Sequence, residues 1–181
     1  MFLRDMDITT EGFLYFLVAF SFYFISVEFI LLSFVDFLPE GIEFSVNEGI
    51  IFIVSIVGSL AVSGFIVDKF KDRMRLLLIS AFMMLVGSVF MILSDSLFKY
   101  VAISMIMFFS GLMLIDLLTI LTHESTILNR GRLLAYILCI SALIGGLTML
   151  CTLLNPIAVT IVQAAFFVGL TYVATKYSYV E

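Results

Sequence analysis

Glu28 and Asp116 are the only Asp, Glu, Lys, Arg or His residues inside the long apolar runs of this chain, Glu28 in Phe13–Val35 and Asp116 in Tyr100–Leu121. A charged side chain at the centre of a bilayer costs roughly 2.5–3.5 kcal/mol on insertion scales, so a carboxyl there marks a functional candidate. If each run is a helix centred on the membrane, both residues lie about 7–8 Å from the midplane at ~1.5 Å per residue. They fall on opposite sides of it, Glu28 in the outer half and Asp116 in the inner half, and cannot pair directly. An acid so placed can take up and release a proton, as a proton-coupled carrier requires, or it can touch a substrate. The plainer alternative is a carboxyl tied to a neighbouring hydroxyl or reaching the interface.

Other chemistries find little support. His123 is the only histidine and sits at the inner edge of the fourth run with no Cys or second His nearby. That argues against a metal site and against a Ser-His-Asp constellation. Intramembrane hydrolysis or headgroup transfer needs several polar groups clustered near one depth. The chain is therefore not expected to be an enzyme, and no cofactor is expected. Cys139 and Cys151 are twelve residues apart on one run, about 18 Å along a helix and too far for a disulfide. They read as buried small hydrophobes. The series Tyr15, Phe16, Phe20, Phe22, Tyr23 and Phe24 reads as lipid-facing or packed surface rather than a ligand box.

The elements that must position the two acids are membrane spans. The 181 residues are 63% hydrophobic and 13% charged, against roughly 45–50% apolar for a soluble domain. A span needs about 20 mainly apolar residues. Six such stretches are present: Phe13–Val35, Gly49–Val67, Leu76–Leu93, Tyr100–Leu121, Leu133–Leu154 and Ile157–Thr175. They leave no room for a soluble domain, so 1–181 reads as a single six-helix transmembrane domain. No apolar/polar alternation of the kind a barrel strand requires is visible.

Basic residues set the expected orientation, because cytoplasmic loops accumulate Lys and Arg. With the N-terminus inside, Arg4, then Lys69, Lys71, Arg73 and Arg75, then Arg130 and Arg132, then Lys176 all fall on the cytoplasmic side. Only Lys99 is left outside, and both termini are expected in the cytoplasm of a cell (inner or plasma) membrane. The first outer segment carries Asp36, Glu40, Glu43 and Glu48 and no Lys or Arg. The net charge of -5 offers no case for nucleic acid as a partner. Small residues recur at four-residue spacing, Ser55, Ser59 and Ser63 with Gly58 beside them, then Ser141 with Gly145 and Ala142 with Gly146. These faces are expected to touch other helices.

Four segments together resemble the N-terminal six-helix half of a major facilitator superfamily (MFS) transporter, and within it the drug and sugar efflux branch of proton antiporters. They are Glu28-Phe29; Leu38-Pro39-Glu40 with Ser45 and Gly49; Gly64, Asp68, Lys69 and Arg73 to Arg75; and Glu124 with Arg130-Gly131-Arg132. The likeness runs from about residue 26 to residue 132. Departures are Lys71-Asp72 where the family usually has Gly-Arg, the lack of an arginine around Met105 to Gly111, and a longer spacing from Glu28 to Pro39.

The resemblance implies an all-α fold with a three-plus-three inverted repeat. It also implies a latch loop formed by Gly64, Asp68, Lys69, Arg73 and Arg75, an inner loop marked by Glu124, Arg130 and Gly131, and substrate or proton contact at Glu28 and Asp116. Family members enclose substrate between two halves. A chain of this length supplies one wall and needs a homodimer partner or a second membrane subunit to move a small-molecule substrate. Two alternatives stay open: a non-transporting subunit or scaffold derived from such a half, and the substrate-binding membrane component of a multisubunit importer.

Overall fold

The computed structural model describes residues 9–36, 46–70, 72–93, 96–125, 127–152 and 156–176. They form six α-helices: α1 (Thr10–Asp36), α2 (Val46–Lys69), α3 (Arg73–Leu93), α4 (Ser96–Glu124), α5 (Ile127–Thr152) and α6 (Pro156–Lys176). Among the described residues there is no strand. Each expected span falls in a helix of its own, and the expected end of the fifth, Leu154, lies outside the described residues, as does the whole Leu38-Pro39-Glu40 segment. Segments of 20 to 25 residues in α1, α3, α4, α5 and α6 are long and apolar enough to cross a membrane, which makes this an all-helical membrane protein. In α2 the side chains at 46–53 and 56 are outside the described residues.

Local chemistry accounts for where helices start. Thr9 accepts a hydrogen bond from Gly12 N at 3.0 Å and so caps α1. Asp72 does the same for α3: its Oδ1 accepts from Arg75 N at 3.1 Å, while its Oδ2 pairs with Arg75 Nε at 2.6 Å. The acid that departs from the family pattern is thus the N-cap of the third helix. Pro156 opens α6, where its missing N–H leaves no bond unmade. Replacing Asp72 by Ala is expected to cost about 1 kcal/mol, and Asp72→Asn, which keeps the acceptor, much less; denaturation of the two variants in mild detergent measures the difference.

The packing order is not the chain order. α1 rests on α5, α6, α4 and α3, whereas α2, among the described residues, makes its extensive contact with α4 alone, and α3 lies between α4 and α6. Because α1 is surrounded, its rings point into protein on several sides: Tyr15, Phe16, Phe20 and Phe22 are all fully buried. Of the two alternatives expected for this aromatic series, packing and not lipid contact holds for those four, while Tyr23 and Phe24 remain half-exposed. Outward faces are apolar as well, with Phe65 75% and Leu143 68% exposed. Such faces suit lipid and would be an aggregation hazard in water. Cys139 lies on one of them, exposed and not buried as expected.

Buried hydroxyls are mostly hidden against their own helices. Ser80 donates to Leu76 O, Ser88 to Met84 O, Thr119 to Ile115 O and Thr171 to Phe167 O, each four residues back. This lets polar side chains sit in an apolar bundle without stranding a donor.

Candidate functional site

Glu28 lies where α1 crosses α5. A Cβ added to Gly145 would stand 2.7 Å from Glu28 Oε2 and 2.8 Å from Oε1. The carboxyl therefore lies over the bare backbone of α5, a place that only glycine leaves open. Further along the same seam, Ser21 Oγ donates to Ser141 Oγ at 3.4 Å, and Ser141 Oγ donates to Leu17 O at 3.4 Å. Both contacts climb the two helices together, so α1 and α5 run in the same direction. The expected Ser141/Gly145 face is thus a real helix contact, whereas Ala142 is exposed and Gly146 meets nothing within 4 Å. Glu28 is half-exposed, yet its Oε2 is buried with no hydrogen-bond partner within the protein.

Asp116 has a different setting. It is fully buried, and neither carboxyl oxygen has a hydrogen-bond partner within the protein. Arg73, the first residue of α3, lies within electrostatic reach of it, and Arg73 Nη1 is itself buried without a hydrogen-bond partner. One expected proton-site residue and one expected latch residue thus lie within electrostatic reach of each other, with no hydrogen bond between them. The two acids are not brought together. Each stands eight residues before the end of its helix, 28 to 36 in α1 and 116 to 124 in α4, about 12 Å along the axis.

The remaining latch residues form no cluster. Asp68 and Lys69 are exposed in the last turn of α2, Arg75 is exposed and paired with Asp72, and Gly64 meets nothing within 4 Å. Lys71 lies outside the described residues.

Arg130, expected in an inner loop, lies in the first turn of α5 and ties it to the end of α4. Its Nη2 donates to Thr122 O at 2.6 Å and to Ser125 O at 3.3 Å, and its Nε donates to Ser125 Oγ at 3.3 Å. A cation thus closes the carbonyl end of α4, where the backbone has acceptors left over. Glu124 is half-buried beside this clamp, and Gly131 is exposed with nothing within 4 Å. Arg130→Leu is expected to cost about 1.5 kcal/mol, the lower end of the range for bonds to charged groups. Lysine should rescue poorly, because it lacks the planar fork that spans two acceptors; chemical denaturation of both variants checks this.

Sequence reasoning passed over Gln163. It is the chain's one glutamine and stands mid-helix among apolar residues, which was the available signal. It is fully buried, and its Nε2 donates to Ser26 Oγ at 3.2 Å. Ser26 Oγ in turn donates to Phe22 O at 2.9 Å. Among the described residues, no three of His, Cys, Asp and Glu converge as a metal site.

No family model, curated protein or solved structure matches this chain.

Proposed function

We propose that this protein is a half-size, MFS-like secondary transporter that exports a small molecule in exchange for protons and works as a homodimer, each copy supplying one wall of the cavity. The observation that carries the reading is Glu28. It is half-exposed, about 12 Å from the end of α1, on the seam with α5. Carboxylates at such depth face protein or water, not hydrocarbon. A second copy over the seam encloses the acid in a polar space, where it can meet protons or substrate. Asp116 has no such need, since its own chain already buries it; in this reading it acts with Arg73 between α3 and α4.

The helix pairings support an inverted repeat. Exchanging α1, α2 and α3 for α4, α5 and α6 turns the α1–α5 contact into α4–α2 and the α1–α6 contact into α4–α3, and all four are present. The exchange is approximate, since α5 rests on α6 where α2 makes no comparable contact with α3. It also relates Glu28 to Asp116 as acids at matching distances from opposite membrane faces. Both termini then lie in the cytoplasm, as the basic loops require.

Proteoliposome flux of a panel of labelled sugars and dyes, with and without a pH gradient, tests the proposal. Wild type should show gradient-dependent flux, and Glu28→Gln should lose the dependence. No flux from either protein, together with only monomer on crosslinking in a bilayer, would overturn the carrier and leave the scaffold reading.

A further inference from the structure

The interface of α1 and α6 holds polar atoms that the carrier reading does not use. Gln163 is fully buried with its Oε1 unpartnered within the protein, and one turn away on α6 the buried Thr160 Oγ1 is unpartnered as well. Other threonines in these helices return their hydroxyl to a carbonyl three or four residues back, as Thr119, Thr122, Thr148, Thr171 and Thr175 do. Thr160 does not. Residues three apart on a helix are neighbours, with Cβ atoms about 5–6 Å apart. The two unpartnered groups therefore share one face, beside the bond from Gln163 to Ser26.

We propose that Thr160 and Gln163 hold a bound water molecule between α1 and α6. The water accepts the Thr160 proton and donates to the Gln163 amide. The choice of water over a cation follows from the amide itself. Ser26 engages only one end of it, so either orientation of the side chain leaves one atom over, an acceptor in one case and a donor in the other. Water serves both orientations; a metal ion serves only the one with oxygen free. Buried polar groups almost always find a partner, and a single water making two to four bonds is the usual one where the protein supplies none. The site is independent of Glu28, which faces α5, and it stands or falls separately from the transport reading.

The sign of one substitution decides the matter. Thr160→Val keeps the shape and removes the hydroxyl. If a water is shared, the variant strands the Gln163 amide and shifts the folding equilibrium roughly five- to thirtyfold towards the unfolded state. In a Gln163→Leu background the same change should have little effect, because nothing is left to share. A dry site gives the opposite result: removing a lone buried hydroxyl leaves stability unchanged or improves it in both backgrounds, and that overturns the proposal. Should Gln163→Leu fail to fold, solid-state NMR of the wild type in bilayers supplies the second reading. The Gln163 side-chain amide should gain magnetisation from water well before side chains facing lipid, such as Ile161; transfer no faster than at Ile161 also overturns it.

Discussion

Arg73→Met is expected to destabilise the folded protein by about 2 kcal/mol, within the ~1–3 kcal/mol cost of leaving a buried polar group without its partner. It falls below the cost of breaking a buried ion pair because Arg73 keeps part of its side chain at the surface and shares no hydrogen bond with Asp116. Removing the guanidinium leaves Asp116 with two buried oxygens and neither a hydrogen bond nor the opposite charge within reach. The pair need not favour folding for this to hold, since taking two charges out of water is itself costly and an apolar replacement of both is often neutral or better. The double variant Arg73→Met, Asp116→Leu should therefore regain most of the lost stability, and Asp116→Leu alone should cost less than Arg73→Met. Unfolding titrations in mixed micelles of the two single variants and the double complete the cycle. A double variant as unstable as the sum of the singles would show that the two side chains do not act on each other.

The six helices were legible because lipid imposes a length: a run of about 20 apolar residues has few other uses. How they pack was not. In water a helix shows its inner face by amphipathic patterning, but a membrane helix is apolar towards both protein and lipid, so the pattern carries no direction. That is why the rings of Tyr15, Phe16, Phe20 and Phe22 read as lipid-facing or packed alike, although α1 is enclosed by four helices. Small residues did carry direction, since Ser141 and Gly145 mark where α5 meets α1. Even so, nothing in their spacing says that the group over Gly145 is a carboxyl. The link from Asp116 to Arg73 was beyond sequence reading for another reason. It depends on which side of α4 receives the start of α3, and the two residues had been assigned to different tasks. Asp72 shows the reverse case, where a departure from a family pattern has a local explanation in helix capping.

Gly111→Leu is expected to part α2 from α4. A Cβ on Gly111 would strike the Oγ and Cβ of Ser59 and come within 3.3 Å of its backbone carbonyl carbon. A rotamer change relieves the first contact but not the others, so the helix must move as a body. Among the described residues, α2 has no other extensive packing partner to resist that movement. Overpacking of this kind costs about 1–3 kcal/mol in a well-filled core, and Gly111→Ala should fall at the low end of that range. Ser59→Gly should restore the Ala variant, because it removes the side chain that is struck. Spin labels on the outward faces of α2 and α4 would report the separation directly; an unchanged distance in Gly111→Leu would refute the close approach. Gly58 and Gly64, on the same helix, meet nothing within 4 Å. Alanine there should be harmless in detergent-solubilised monomer, or stabilising by up to ~1 kcal/mol through helix propensity. In a bilayer the comparison gains a second use. If a partner copy packs on the open face of α2, Gly58→Ala or Gly64→Ala should weaken the dimer while leaving the monomer intact, whereas a face turned to lipid should tolerate both changes in either setting.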